Sequence, residues 1–279
     1  MKRLFAAVLA IILACSLTAC SSIGDQTSIQ FKETESGYAL YRYKGASTQA
    51  EFDVPETYEG KPVTELMAFS FANSEYLETI RIGKNIEKID VWALTNCPKL
   101  KEIQVDAGNA SFQSVDGVLY NKDQTMLIAY PNGKTPLTTD KEGKATGGGR
   151  ITLPASVREI RSNAFYLCEN LYAVEFNQGL EKVGEKAFLK CANLSALNLP
   201  DTLTEISGDA FSYCNALTEL EIPASVRKIG DYAFFSTASS LEKIVIHQKN
   251  ADALELGKDW MPNKKNSVRE KVAVEYTAN

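Results

Sequence analysis

LEKVGEKAFLKCANLSALNLP, residues 180–200, and LTEISGDAFSYCNALTELEIP, residues 203–223, are one pattern written twice. The pair Ala164-Phe165 returns as Ala187-Phe188, Ala210-Phe211 and Ala233-Phe234, each 23 residues after the last. The template runs aliphatic, three positions to a second aliphatic, Ala-Phe, a small residue, then aliphatic positions and often proline. Leu180, Val183, Phe188, Cys191, Leu194, Leu197 and Leu199 fill it in one copy. Self-similarity at this period predicts a solenoid, in which no unit buries its apolar face alone. Function then belongs to a surface rather than to a pocket.

The pattern begins before the clean copies. Val63, Leu66, Phe71, Leu77, Ile80 and Ile82 match it, with Ser74 at the cysteine position. Ile86, Ile89, Ala93-Leu94, Cys97, Leu100, Ile103 and Val105 match it again, so six units are expected. Leu94 and Phe165 are 71 residues apart, and the intervening Ala-Phe phases hold Asp116-Gly117 and Thr139-Asp140. No hidden repeat is therefore expected in that gap. Asp116-Gly117 suits a hairpin turn, with Val118-Leu119-Tyr120 and Met126 to Tyr130 as paired strands projecting from the array. Gly133 to Arg150, with Gly147-Gly148-Gly149, reads as a mobile loop. The expected layout is a leader (1–19), a tether (20–27), an N-terminal β cap (28–62), repeats 1–2 (63–105), the insertion and loop (106–150), repeats 3–6 (151–246) and a C-terminal cap (247–279) closed by Val272, Val274 and Tyr276. Caps are needed because an open solenoid end exposes core and strand edge. The fold class is thus a mainly β repeat solenoid with short helical or 3-10 turns and one merged core.

Period-two spacing at the end of each copy gives a short parallel strand, and the first aliphatic pair gives a second strand on the opposite side. Pro200 and Pro223 end the strand. Cys97, Cys168, Cys191 and Cys214 share one phase, where their Cβ vectors run side by side, and this predicts a ladder of small buried residues rather than disulfides. Without CxxC spacing or a second histidine, no metal site is expected.

The chain carries a net charge of −5, which disfavours nucleic acid as a partner because that needs clustered Lys and Arg. Lys2-Arg3, an apolar run from Leu4 to Ala14 and Leu17-Thr18-Ala19-Cys20 have the three-part layout of an export leader. Small residues before a cysteine are similar to the bacterial lipobox. That similarity implies lipidation of Cys20 and anchoring to the outer face of a membrane, with plain cleavage after Ala19 as the alternative.

Ala-Phe, the cysteine three positions later and the trailing aliphatic-Pro together resemble the BspA-like (TpLRR) class of leucine-rich repeats. The resemblance spans about residues 38 to 246. It extends to Tyr43-Lys44-Gly45, Val54-Pro55-Glu56 and Gly60-Lys61-Pro62-Val63 as a lead-in, and to Asn109 to Tyr130 as an insertion. What it implies is a bacterial surface protein that adheres to host proteins or other cells.

No catalytic constellation is present in the sequence. The single histidine, His247, reads as solvent-exposed, and without a partner it supports no nucleophilic triad. Gly147-Gly148-Gly149 lacks the Lys-Ser/Thr of a phosphate loop. Glu181-Lys182 and Glu87-Lys88 read as a solvated face. The outward column flanking the strand aliphatics remains: Thr79 and Arg81, Glu102 and Gln104, Ala173 and Glu175, Ala196 and Asn198, Glu219 and Glu221, Lys243 and Val245. Arg81, Gln104, Tyr172, Glu175, Asn198, Glu219, Glu221 and Lys243 are the candidate partner-binding residues. The expectation is a non-catalytic monomer without cofactor or metal, binding an extracellular or envelope protein or glycan. A structural or assembly part of the envelope is the alternative reading, and a degradative hydrolase stands last.

Overall fold

The computed structural model describes residues 28–134, 138–139, 141, 145–237, 243–261 and 273–277. The leader, Cys20, Leu241 and Val272 lie outside them. From the second repeat on, each repeat contributes one longer and one two-residue strand; in the first the short strand is drawn out to Lys61–Leu66. The longer strands Leu171–Glu175 and Ala196–Asn198 pair in parallel, Ala173 opposite Ala196 and Glu175 opposite Asn198. The short strands Glu159–Ile160, Lys182–Val183, Glu205–Ile206 and Lys228–Ile229 stack in parallel on the other side, Lys182 opposite Glu205. A register of one repeat per rung places identical template positions in columns, so every core aliphatic meets its own counterpart. Between strands, the Pro200 carbonyl accepts from Leu203 N and the Pro223 carbonyl from Val226 N, closing the turn that each proline begins.

The bend holding Ala-Phe is not helical; among the described residues the sole helix is a 3-10 turn, Ala251–Ala253. Instead the residues two before and two after each Phe are left-handed: Lys186 (φ 57°) and Lys190 (64°), then Asp209 (54°) and Tyr213 (60°). Alternating handedness turns every second amide toward the next coil, while those between donate within their own coil, Ala187 N to Gly184 O and Leu189 N to Lys186 O. Lys186 N donates to Gly208 O at 2.9 Å, Phe188 N to Ala210 O at 2.8 Å and Lys190 N to Ser212 O at 2.9 Å. Left-handed backbone costs about 1–2 kcal/mol per residue without glycine, and these inter-coil bonds hold it in place. The sequence gives no sign of this third ladder, because its residues vary from Lys to Tyr.

Phe165, Phe188, Phe211 and Phe234 are fully buried and stack with ring centroids 4.6, 5.0 and 5.5 Å apart. Trp260 closes the far end of the stack, 6.5 Å from Phe234 and edge-on to it. Cys97, Cys168, Cys191 and Cys214 are free and buried. Each of three thiols donates to the backbone carbonyl of the core Phe in the coil before: Cys97 to Phe71 O, Cys191 to Phe165 O and Cys214 to Phe188 O, at 3.1, 3.1 and 3.2 Å.

The expectation of one merged core is corrected. The described residues form two hydrophobic clusters, one from Leu40 to Ile103 and one from Leu153 to Trp260, and the insertion stands between them. It is a three-stranded meander, Phe112–Val115, Val118–Asn121 and Met126–Ala129. Asp116 (φ 49°) and Gly117 (φ 70°) turn the first hairpin, both left-handed as a type I′ loop demands. Strand alternation serves both cores. Phe112, Leu119 and Ile128 join the first, whereas Val118, Tyr120, Leu127 and Tyr130 join the second. Nor does the meander project from the array. Met126 and Leu127 pair in parallel with Glu159 and Ile160, and Tyr130 N donates to Ala164 O at 2.8 Å. Tyr130 stacks on Phe165 at 5.0 Å, so the gap does contain one coil. Periodicity misses it because Tyr130 precedes Phe165 by 35 residues rather than 23. Buried Asn132 ties the halves, accepting from Cys97 N at 3.0 Å and donating to Tyr166 O at 2.8 Å. Far from a loop, Gly147 ends the strand Ala145–Gly147 and Gly149 begins Gly149–Thr152, which pairs with Leu171–Glu175.

At the N-terminus Ser28–Thr34 pairs antiparallel with Gly37–Lys44, which runs parallel to Lys61–Leu66 and stands in for a preceding coil. Tyr43 and Phe52 cover the Phe71 ring at 5.0 and 5.5 Å. At the other end Ala273–Tyr276 pairs in parallel with Lys243–Ile246.

Candidate partner-binding face

The longer strands carry the predicted column, and their register decides which members meet. Thr79 lies opposite Glu102 and Arg81 opposite Gln104; Glu219 lies opposite Lys243 and Glu221 opposite Val245. The column is not continuous. The strands form three separate parallel sheets: Glu51–Asp53 with Thr79–Ile82 and Glu102–Val105, then Gly149–Thr152 with Leu171–Glu175 and Ala196–Asn198, then Glu219–Ile222 with Lys243–Ile246 and Ala273–Tyr276. The insertion separates the first two sheets, and Ala196–Asn198 adjoins Glu219–Ile222 without ladder pairing.

Several candidates are already occupied within the molecule. Arg81 donates to Glu51 at 2.6 Å, Asp53 at 3.2 Å and Gln104 at 2.9 Å. The bonds to Glu51 and Asp53 hold its guanidinium above the ordinary arginine range. Glu175 accepts from Thr152 Oγ1 at 2.8 Å. Lys243 pairs with Glu275 at 2.7 Å, which raises its pKa. His247, expected to be exposed, is half-buried: Nε2 lies 3.6 Å from a Glu221 carboxylate oxygen and Nδ1 2.9 Å from Thr277 Oγ1. The closing strand brings Thr277 there, and nothing in the repeat pattern announces it. Ala173, expected to face outward, is buried between Arg150 and Ala196 of the flanking strands. Three candidates make no side-chain hydrogen bond or close ion pair among the described residues: Tyr172, Asn198 and Glu219, the last of which faces Lys243 across the ladder and adds to the rise in that lysine's pKa. They stand on three successive strands of the second and third sheets. Among the described residues no group of three His, Cys, Asp or Glu side chains is placed to hold a metal ion.

The array's edge carries aromatic residues that the strand column lacks. Phe69, exposed at 60%, stacks on Trp92 at 5.6 Å, and Trp92 meets Tyr166 edge-on at 5.6 Å. Tyr213 and Tyr232 flank Phe235 at 5.8 and 5.7 Å. Three of these six rings, Phe69, Tyr213 and Tyr232, sit at the left-handed positions beside the core Phe. Aromatics within two residues of each Ala-Phe pair were the available signal.

Two ladders on opposite sides, a Phe column and a cysteine column at one phase make up the geometry of a leucine-rich coil. The profile described as "BspA type Leucine rich repeat region" matches residues 39–126 and 148–255 in six copies, more than half of the chain. The chain belongs to the BspA-type leucine-rich repeat family. Among solved structures of similar fold is a leucine-rich repeat protein from Eubacterium ventriosum, 23% identical with a TM-score of 0.56. The match covers 76% of this chain and 54% of that one, so the chain spans about half the length of that relative. The pneumococcal vaccine antigen PcpA is 18% identical over 91% of this chain and 93% of its own, with a TM-score of 0.50. The TpLRR protein of T. pallidum is 19% identical over 90% of this chain and 97% of its own, at a TM-score of 0.41. No protein of curated function matches the chain. For a BspA-type array, the columns that define the family are core columns; the side chains a partner would meet lie between them.

Proposed function

We propose that this BspA-type repeat protein is a non-catalytic recognition protein, exported and held at the bacterial surface by lipid on Cys20. It binds a protein or glycan partner on the exposed face of its longer strands. The observation carrying this reading is the set of polar side chains on successive strands, Tyr172, Asn198 and Glu219, that make no hydrogen bond or close ion pair among the described residues and are held in place by a rigid sheet backbone. Rigid presentation lowers the ordering cost of binding, and a tyrosine supplies a hot-spot side chain. Arg81 and Gln104, bonded to each other, act in this reading as part of the scaffold. The anchor rests on Leu17-Thr18-Ala19-Cys20 behind the apolar run; two or more acyl chains give stable attachment. The test is capture of extracellular-matrix proteins, an array of glycans and the bacterium's own envelope fraction by the soluble chain from Ser21. A variant combining Tyr172→Ala, Asn198→Ala and Glu219→Lys is expected to lose at least roughly tenfold in affinity for the partner found. Unchanged capture by that variant contradicts the reading. Loss of acyl labelling in Cys20→Ala tests the anchor separately.

A further inference from the structure

The short-strand ladder is missing a rung. In the second half every rung finds the next. Thr204 N and Glu205 N donate to Glu181 O at 2.8 and 3.2 Å, and Ser207 N donates to Val183 O at 2.9 Å. Lys182 lies between two carboxylates, Glu159 at 3.9 Å and Glu205 at 4.0 Å. In the first half, Glu87-Lys88-Ile89 repeats the chemistry of Glu181-Lys182-Val183 and pairs backward in the same way, with Glu87 N on Thr64 O and Asp90 N on Leu66 O. Among the described residues no strand follows forward of it. Lys88–Ile89 pairs, among those residues, with Lys61–Leu66 alone, and the strand Met126–Ala129, which could have continued the ladder, pairs with Val118–Asn121 and Glu159–Ile160 instead. Among the described residues the carbonyls of Glu87 and Ile89 therefore accept no hydrogen bond, and Lys88 has one carboxylate, Glu65 at 3.0 Å, where Lys182 has two. Unmet backbone acceptors on a strand edge are a template for another chain.

A cleft of about 610 Å³ occupies the place of the absent rung; its rim carries Lys88 and Arg161 together with the carboxylates Glu65, Glu87 and Asp90, and its floor is apolar, with Met126 and Ile128. The Arg161 guanidinium is half-buried and feels the Asp90 and Glu159 carboxylates, but makes no hydrogen bond or close ion pair with a described residue. The array specifies what belongs in such a position. Along the rungs the first residue alternates in charge, Glu65 then Lys88 before the gap; after it comes the neutral Met126 of the meander, and then Glu159, Lys182, Glu205, Lys228 and Glu255 alternate again. The residue due after a lysine is acidic, and the one after that is aliphatic.

We propose that the cleft between Lys88–Ile89 and Met126–Ile128 receives an extended segment of another protein bearing an acidic–aliphatic pair, which adds as a parallel strand to the Lys88–Ile89 edge. Its amides meet the carbonyls of Glu87 and Ile89, its carboxylate lies between Lys88 and Arg161, and its aliphatic side chain enters the apolar floor. Strand addition of this kind takes affinity from main-chain bonds and selectivity from side-chain pockets. This inference is independent of the longer-strand face.

The probe is a synthetic fluorescent peptide with the sequence of residues 201–209, DTLTEISGD, whose Glu205-Ile206 pair forms such a rung within the array. Fluorescence anisotropy with the chain from Ser21 is expected to show saturable binding, with amide shift changes centred on Lys88, Ile89 and Asp90. A peptide with its glutamate replaced by lysine is expected to bind roughly tenfold more weakly. The Lys88→Glu chain should reverse that preference, which a merely structural role for Lys88 does not do. The Tyr172, Asn198 and Glu219 variant should bind the peptide unchanged. No saturable binding by the folded wild type, equal binding of the two peptides, or shifts centred away from Lys88–Asp90 would overturn the proposal.

Discussion

At the scale of the residue, the fold rests on side chains repeated in columns. Phe188 lies between Phe165 and Phe211 in a near-parallel stack and is fully buried. Phe188→Ala removes that burial and leaves a cavity between rigid coils, so it should destabilise by about 3–5 kcal/mol in urea unfolding. A loss below about 1 kcal/mol means the ring is not core. The thiols make a second case. Burial pushes the Cys97 pKa up to about 12 and those of Cys168, Cys191 and Cys214 well above the ordinary range. Native protein at pH 8 should therefore react with a thiol reagent only as fast as it opens, and all four sites should react at once in denaturant. Fast labelling of the native state contradicts the ladder. Position, size and polarity of these residues were legible in the sequence, because burial in a repeat leaves one residue type at one phase. The left-handed turns were not. Lys186, Lys190 and Tyr213 are residues that normally avoid positive φ, and only the hydrogen bonds to the next coil hold them there.

At the scale of the element, the meander from Phe112 to Ala129 shows where periodic reasoning ends. Its turn at Asp116-Gly117 could be read from two residues. Its role as a wall could not, since that depends on alternate residues of one strand facing two different cores. Gly117 has a φ of +70°, and a Cβ there would lie 3.0 Å from Glu102 Cγ. Gly117→Val should cost roughly 1–3 kcal/mol and disturb the first hairpin, measured by unfolding and by amide exchange at Val118–Asn121; a neutral substitution argues against the I′ turn. The strand column was likewise legible as a face but not as three sheets. Which of its members are engaged depended on partners such as Glu51 and Thr277, far away in sequence and outside any repeat phase.

At the scale of the whole molecule, the buried thiols give stability a sign in pH. Their folded pKa values are raised, so the unfolded chain releases its protons first, from about pH 8.5 upward. The contribution is complete below that value and falls as pH rises toward and past 12, by up to about 1.4 kcal/mol per thiol per pH unit. Urea midpoints should drop between pH 8 and 10, and replacing the four cysteines with alanine should flatten that drop. An equal slope in the two proteins would assign it to other groups.

The central claim is that coils insufficient alone are joined by one wall, so that the two cores stand or fall together. The chain holds two tryptophans, Trp92 in the first half and Trp260 at the end of the second. Equilibrium urea unfolding of Trp92→Phe and Trp260→Phe, each followed by its remaining tryptophan and by circular dichroism, tests this directly. The account expects coincident transitions for both probes once each variant's own stability change is set against its circular dichroism curve. Two separated transitions, one half remaining folded while the other is lost, would contradict it.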